Sequence, residues 1–188
     1  MILLFLACAE SGALPLDTAA NDAGELPATS VAVGEVLISE VMFDPAAVDG
    51  DFGEWIELHN VATAEVNLDG VVVQDDDGSG FVVEGPLRVP AGGFVVLGPS
   101  NDTAANGGCP VDYAYSVDAV KLGNEGDSLR LTATGVPLDT FTWDASVFTV
   151  AEGSALQLDP AADAWCLATT PYGDGDLGTP GAANSPCG

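Results

Sequence analysis

The chain of 188 residues carries 29 Asp and Glu side chains against 3 Lys and Arg, which gives a formal net charge of −26. Three scattered cations cannot supply the phosphate contacts that nucleic acid or an anionic membrane surface requires, and no phosphate-binding motif is present. A hydrophobic fraction of 47% is nevertheless enough to fill a core, which excludes an acidic disordered protein.

The first predicted element is an apolar run at residues 1–9, MILLFLACA. It is shorter than the roughly 20 residues that span a bilayer, and it lacks the basic start of a complete secretory signal. The residues before Cys8 resemble the lipobox of bacterial lipoproteins, in which the cysteine is lipidated. We interpret residues 1–8 as a partial lipoprotein-type signal with Cys8 as the lipidation site; the alternative is a frayed apolar terminus. The composition of residues 9–33 predicts a flexible linker.

From residue 35 onward the chain alternates between apolar and polar residues with period two, which is typical of half-buried strands. In the second of these runs Ile56 and Leu58 lie on one face, whereas Trp55, Glu57 and His59 lie on the other. No stretch has helical periodicity, and 23 Gly and 12 Pro interrupt the chain throughout. The pattern predicts an all-β antiparallel sandwich over residues 34–160, with strands at 36–42, 54–60, 66–74, 81–83, 94–97, 127–132, 138–143 and 154–158.

Residues 161–188 are rich in Gly and Pro, and we expect them to form a loop segment packed on the domain. Cys166 and Cys187 bracket this segment, and a disulfide between them would indicate an oxidising compartment. Zinc is the alternative use of cysteine, but there is no C-x-x-C spacing and the single histidine is distant in sequence. For Cys109 we expect a buried free thiol.

Several segments, in this order and spacing, resemble the lamin-tail domain: LISEVM at 37–42, GEWIELHN at 53–60, VNLDG at 66–70, VPAGG at 89–93 and LGNEGDSLRL at 122–131. Trp165-Cys166 and GTPGAAN at 178–184 look like the end of bacterial secreted members. The resemblance implies an immunoglobulin-like β-sandwich used for protein interaction, without catalytic residues. It also implies structural roles for the motif residues Glu40, Glu54, Trp55, Glu57, Asn60 and Gly70.

The glutamates of these motifs could have either a catalytic or a structural role. Paired carboxylates could hydrolyse a glycoside, and Glu40 and Glu57 would meet if their strands were adjacent. Glu54 and Glu57, three apart on a strand, point to opposite faces. The other reading is that the carboxylates accept hydrogen bonds from backbone amides and fix a loop. We favour this structural role, and we interpret Asn60 as a turn former and His59 as a half-exposed structural histidine.

Clusters of aspartate at glycine-rich turns are the candidate metal ligands. Calcium binds six to eight oxygens from carboxylates and carbonyls, and the first candidates are Asp75, Asp76 and Asp77 in one turn and Asp174 and Asp176 in another. None of them matches the spacing of an EF-hand loop. The alternative is that these residues form turns and keep the surface soluble. The aromatic residues also allow two interpretations: they could form a binding platform for a ligand, or they could pack in the core. We favour packing in the core.

The sequence thus predicts a non-catalytic exported module, anchored at the cell envelope through Cys8, that binds an unidentified protein or surface partner. It predicts no nucleic-acid partner, membrane contact only through that anchor, and no cofactor apart from the calcium alternative. A calcium-stabilised adhesive module is the second hypothesis, and a carboxylate hydrolase is a remote third.

Overall fold

The computed structural model describes residues 31–148, 150–159 and 161–188. These residues form 12 strands and one four-residue helix. In chain order the elements are β1 (Val36–Met42), α1 (Gly50–Gly53), β2 (Trp55–Asn60), β3 (Val66–Asn67), β4 (Val72–Gln74), β5 (Gly80–Val82), β6 (Arg88–Val89), β7 (Phe94–Gly98), β8 (Tyr113–Ala114), β9 (Gly126–Ala133), β10 (Val136–Asp144), β11 (Leu156–Asp159) and β12 (Ala164–Leu167).

The strands form two main sheets that pack face to face as a sandwich, as the sequence predicts. One sheet has six strands in the order β12-β11-β1-β2-β7-β8, and the other has four in the order β10-β9-β4-β5. Strands β3 and β6 form a small third sheet. Neighbouring strands are antiparallel except for β7 and β8, which run parallel.

The main core lies between the two large sheets and takes one face of every long strand. Ile38, Leu58 and Leu97 enter it from the six-stranded sheet, and Val73 and Leu131 enter it from the four-stranded sheet. Each fully buried aliphatic side chain of this kind contributes about 1.5–3 kcal/mol to folding. The alternation seen in the sequence therefore places Ile56 and Leu58 inside, as expected.

A second, smaller core covers the outer face of the six-stranded sheet. It contains Met42, Trp55 and Val96 from the strands, and Cys109 from the loop between β7 and β8. Ala155, just before β11, also belongs to it, and residues 168–188, here called the tail, contribute Ala168, Tyr172 and Leu177. Both faces of the sheet are thus buried near its centre, and Cys109 is the buried free thiol that the sequence predicts.

Two of the predicted elements differ from the structure. The single strand expected at 66–74 is divided into β3 and β4, which belong to different sheets, because Gly70 adopts a φ of 82° and turns the chain between them. The strand at 154–158 is not the last one, since β12 follows it and joins the six-stranded sheet. The boundary expected at residue 160 therefore falls inside that sheet.

The tail crosses the loop between β7 and β8 where glycine backbones meet. A Cβ atom added to Gly108 would lie 2.6 Å from the Cα atom of Gly173, and the amide of Asp174 donates to the carbonyl of Gly107 at 2.9 Å. No side chain fits between the two segments, so glycine is required at this crossing.

We expect Gly108→Ala to lower the free energy of unfolding by about 1–3 kcal/mol more than Gly135→Ala, because overpacking adds to the backbone cost. Gly135 is the matched control, since both glycines have positive φ but a Cβ at Gly135 meets no atom within 4 Å. Urea denaturation of the two variants measures the difference. Equal losses would contradict the crossing described above.

Candidate functional site

A pair of buried glutamates lies at the centre of the outer face of the six-stranded sheet. Glu40 on β1 and Glu57 on β2 are direct partners in the antiparallel register, so their side chains share one face. The relative exposure of each residue is 0%. The prediction that these two carboxylates meet across adjacent strands is confirmed, and we call them the carboxylate pair.

The tail supplies most of the hydrogen-bond donors to the carboxylate pair. The amide of Thr179 donates to both carboxylate oxygens of Glu40, at 3.1 and 3.0 Å. The amide of Gly181 donates to Oε2 of Glu57 at 2.8 Å, and the hydroxyl of Ser39 donates to Oε1 of Glu57 at 2.6 Å. Each hydrogen bond contributes about 0.5–1.5 kcal/mol, or about 1.5–3 kcal/mol where the acceptor is ionised, so these contacts hold the tail on the sheet.

Further contacts fix the end of the tail. The side-chain amide of Asn184 donates to the carbonyls of Ser39 on β1 and Leu158 on β11, at 2.7 and 2.9 Å. The amide of Cys187 donates to the carboxylate of Asp159 at 3.0 Å. The predicted disulfide is confirmed: Cys166 of β12 is bonded to Cys187. The tail is therefore a closed loop, attached covalently at one end and by hydrogen bonds along its length.

Burial of the carboxylate pair changes its titration. Desolvation raises the pKa of Glu40 to about 7, against the hydrogen bonds from Thr179. Desolvation also raises the pKa of Glu57, where the negative charge of Glu40 adds to the effect and the Ser39 hydrogen bond opposes it. The pair therefore keeps a proton up to about neutral pH, far above the usual range of a carboxyl.

The cations lie elsewhere in the described part of the chain. Arg88 pairs with Glu65 and Lys121 pairs with Asp51, and both ion pairs are solvent-exposed. Arg130 is exposed on β9. Since exposed ion pairs contribute about 0–1 kcal/mol, the positive charges stabilise the fold little and do not neutralise the carboxylate pair.

Glu54 belongs to a separate environment. It lies just before β2, and its carboxylate accepts a hydrogen bond from the amide of Leu122 at 3.0 Å. Desolvation is the main cause that raises the pKa of Glu54 to about 7. A glycosidase needs two carboxyls at an open cleft, whereas Glu40 and Glu57 are covered by the tail and Glu54 has a different partner. The arrangement gives the hydrolase hypothesis no support.

Two further motif residues hold the loops at the ends of the strands. The side-chain amide of Asn60 donates to the carbonyls of Ala64 and Val89, both at 2.9 Å, and its oxygen accepts from the amide of Ala62. Asn60 is therefore the buried centre of the turn that follows β2. Gly70 uses its positive φ in the turn between β3 and β4, where its amide donates to the carbonyl of Val83.

The two aspartates of the tail that were candidate calcium ligands have different surroundings. Asp176 is buried, and its carboxylate accepts hydrogen bonds from the amides of Ala46 and Ala47, both at 3.1 Å. Asp174 is exposed, and its backbone amide bonds to Gly107. Asp176 therefore connects the tail to the loop after β1 by hydrogen bonds. The spacing of the aspartates in the sequence did not indicate this contact.

The other candidate aspartates form the turn between β4 and β5. The carboxylate of Asp77 accepts from the amide of Ser79 at 2.7 Å, and Asp76 is exposed. Desolvation, together with a hydrogen bond to Asp77, raises the pKa of Asp75 to about 6. Within residues 31–148, 150–159 and 161–188, no three His, Cys, Asp or Glu side chains are grouped so as to hold a metal ion. Calcium binding stays a prediction.

His59 lines a small apolar groove beside the tail. Its ring stacks on Phe94 with centroids 4.2 Å apart, and the groove of about 100 Å³ is also lined by Leu37 and Leu158. Burial lowers the pKa of His59 below its usual 6.5, so the ring is neutral at pH 7. His59 is a half-buried packing residue here.

The aromatic residues mostly pack inside the molecule, as predicted. Trp143 is buried in the main core, where its ring stacks with Phe43 and Phe141 and its Nε1 donates to the carbonyl of Gly123. Trp55 is buried in the second core. Trp165 is only partly buried and stacks on Phe141 with centroids 3.6 Å apart, so one indole remains within reach of solvent at the junction of the two sheets.

The sandwich and its buried motif residues define an immunoglobulin-like module without an open carboxylate cleft in the described part of the chain. The family model of the Lamin Tail Domain matches residues 29–145, which is more than half of the chain. The protein therefore belongs to the lamin-tail domain family, as its motifs predict. No curated protein sequence matches the chain.

Two predictions on the chain ends are outside what these observations test. Cys8 and the linker before residue 31 lie outside the described residues, and their roles stay predictions. Among the residues that the structure does describe, none belongs to a helix with the length and apolar character needed to cross a membrane.

Proposed function

We propose that the protein is an exported structural and protein-interaction module of the lamin-tail type, anchored at the cell envelope by lipid on Cys8. The match to the Lamin Tail Domain supports the interaction role. The Cys166–Cys187 disulfide is the observation that supports export, because disulfides of this kind persist in oxidising compartments. The lipobox-like residues before Cys8 support the anchor.

The charge of the module restricts its partners. A net charge of −26 repels other acidic surfaces and attracts basic ones over a distance that salt shortens. Binding to a protein partner would use the loops at the ends of the sandwich or an outer strand, where an extended segment can add by β-pairing. The longest outer strand is β10, in which Thr140, Thr142 and Asp144 are exposed.

The anchor is tested by expressing the full chain in a bacterial host and labelling it with an alkyne palmitate analogue. We expect label in the membrane fraction for the unmodified chain and none for Cys8→Ser. Cys109→Ser is the matched control, because it removes one thiol of the described core and leaves the lipobox intact. Unlabelled chain in the cytosol would overturn the proposal.

The interaction role is tested by pull-down of envelope proteins with the displayed module, at 0.05 M and 0.5 M salt and with or without calcium. A basic partner should be lost at high salt because screening removes the charge attraction. A partner retained only with calcium would favour the adhesive alternative instead. No specific partner under any of these conditions would contradict the interaction role.

A further inference from the structure

Four side chains form a polar row across the outer face of the six-stranded sheet, one on each of four neighbouring strands. Cys166 of β12 is opposite Gln157 of β11, Gln157 is opposite Glu40 of β1, and Glu40 is opposite Glu57 of β2. Opposite residues on antiparallel strands have Cβ atoms about 4.5–5.5 Å apart. The row is therefore a line of three polar side chains under the tail, which ends at the disulfide sulfur of Cys166.

Beside Glu40, the hydroxyl of Thr179 lies between two oxygen acceptors but has only one proton to donate. The hydroxyl of Thr179 lies 3.0 Å from Oε2 of Glu40 and 2.9 Å from Oδ1 of Asn184. Oδ1 is an acceptor, because the amide nitrogen of Asn184 donates to two carbonyls. A hydroxyl has one proton to donate. Both contacts are satisfied only if Glu40 carries a proton and donates it to Thr179, which then donates to Asn184.

Gln157 presents a second acceptor without a donor. Its Nε2 donates to the carbonyl of Ser185 at 2.6 Å. This contact with an acceptor identifies which end of the side-chain amide is nitrogen and which is the oxygen Oε1. That Oε1 is buried and accepts no hydrogen bond from the part of the chain that the structure describes. A buried acceptor without a partner costs about 1–3 kcal/mol. The strand neighbour of Glu40 thus adds to the local shortage of protons.

Glu57 has the opposite surroundings. Its contacts are with donors: the hydroxyl of Ser39 at 2.6 Å and the amide of Gly181 at 2.8 Å. A hydroxyl-to-carboxylate distance of about 2.5–2.7 Å is typical of an ionised acceptor. The donors around Glu57 therefore suit a carboxylate. Glu40 accepts from the amide of Thr179 but also contacts a hydroxyl whose proton is committed to Asn184, and this combination suits a carboxylic acid.

We propose that the carboxylate pair holds a single proton, located on Glu40, and that docking of the tail takes up this proton. The tail is then a latch that stays closed while the proton is bound and loosens as rising pH removes it. Two carboxylates side by side share a proton in this way because both cannot be ionised at low cost.

Few other groups can interfere with this titration. The thiol of Cys109 faces the pair from the loop between β7 and β8, and the phenol of Tyr172 faces it from the tail. Burial raises the pKa of both groups, so they stay neutral. The carboxylate of Asp112 acts on Cys109 and that of Asp176 acts on Tyr172, and each accepts backbone amide hydrogen bonds.

The direction of the pH dependence follows from the proton count. In the open state each glutamate returns to its ordinary pKa of 4.5, whereas in the closed state burial raises the pKa of Glu40, which holds the proton, to about 7. Between pH 4.5 and about 7 the closed state holds a proton that the open state has lost, so opening releases it. The stabilisation is complete below pH 4.5 and is lost as the pH rises through the closed-state pKa.

Hydrogen exchange of the tail amides in the oxidised full chain tests the proposal. The protection factors of Thr179 and Gly181, corrected for the intrinsic pH dependence of exchange, are measured from pH 5 to pH 9. We expect protection to fall about tenfold per pH unit up to about pH 7, as release of one proton requires, and then to level off. Protection that is constant over this range would overturn the proposal.

Two glutamine variants locate the proton. Glutamine at position 40 mimics the protonated acid, so Glu40→Gln should keep the tail closed and remove the pH dependence. Glu57→Gln should lower the protection of the tail amides at least tenfold at pH 6. The new glutamine side chain would place its N–H donors against the donors of Ser39 and Gly181. Glu54→Gln is the matched control: it alters a partly buried glutamate outside the row and should leave the tail profile unchanged. If Glu40→Gln opens the tail as Glu57→Gln does, the proton is not on Glu40.

If Glu57→Gln fails to fold, ¹³C-detected NMR titration of the side-chain carboxyls replaces it. The proposal then requires the Glu40 carboxyl carbon to report the acid form at pH 6, where the Glu57 carboxyl carbon reports the ionised form. The reverse assignment would overturn it.

Discussion

Replacing Trp55 with alanine is expected to lower the free energy of unfolding by about 3–5 kcal/mol, the usual range for a fully buried tryptophan. Trp55 is completely buried and lies between the six-stranded sheet and the tail. Its Nε1 donates to the hydroxyl of Tyr172 at 2.9 Å, and the two rings pack edge to face with centroids 5.9 Å apart. The substitution therefore removes the main apolar contact of the second core.

Two milder variants separate the contributions. Trp55→Phe keeps a ring but loses the N–H donor, and Tyr172→Phe keeps the ring but loses the acceptor. We expect the lost hydrogen bond to lower the free energy of unfolding by about 0.5–1.5 kcal/mol in each variant. Trp55→Phe should lower it further, because the phenylalanine ring is smaller than the indole and leaves space in the second core. Urea denaturation measures all three variants. A loss below about 1.5 kcal/mol for Trp55→Ala would contradict a packed second core.

The second large effect is expected on removal of the disulfide. The bond between Cys166 and Cys187 closes a span of 21 positions, and a loop of this size contributes about 3 kcal/mol, mainly by restricting the unfolded chain. For a domain of this length that loss corresponds to a decrease in Tm of about 6–12 °C. Calorimetry of the wild type and of the double variant Cys166→Ser, Cys187→Ser checks the value.

The control for this experiment uses the remaining described cysteine. Cys109 is buried and free, so a reducing agent should lower the Tm of the wild type and leave the double variant unchanged. A double variant as stable as the wild type would mean that the hydrogen bonds of the tail suffice to keep it closed. A decrease caused by reductant in the double variant would indicate a disulfide formed by another cysteine.

The strands could be predicted because their signal is local. In β2 the alternation of Trp55, Ile56 and Glu57 is enough to assign each side chain to a face, and the structure agrees. The split of the strand at 66–74 could not be predicted from alternation, since it depends on the left-handed conformation of Gly70. The strand β12 was missed because its four residues are all partly buried, so no alternation between a buried and an exposed face marks it.

The contacts of the carboxylate pair could likewise be predicted only in part from the sequence. The sequence indicates that buried carboxylates need amide donors, and it could place Glu40 opposite Glu57. It could not identify the donors, because Thr179 is 139 positions from Glu40 and Gly181 is 124 positions from Glu57. Asp176 was misleading for a related reason: a carboxylate beside a glycine predicts a turn or a metal ligand, and only the folded chain brings the amide of Ala46 to it.

The position of the disulfide also determines how the module would respond to mechanical load. The chain enters the six-stranded sheet at β1, and Cys187 is bonded to β12, two strands away in the order β12-β11-β1. Force applied between the two ends would pass through the disulfide into β12 and β11, and would bypass the tail. The weakest step on this path is the contact of β1 with β11, where the register has two residue pairs. Asn184 bonds to a carbonyl on each of these strands, so the unloaded tail reinforces the joint that carries the force.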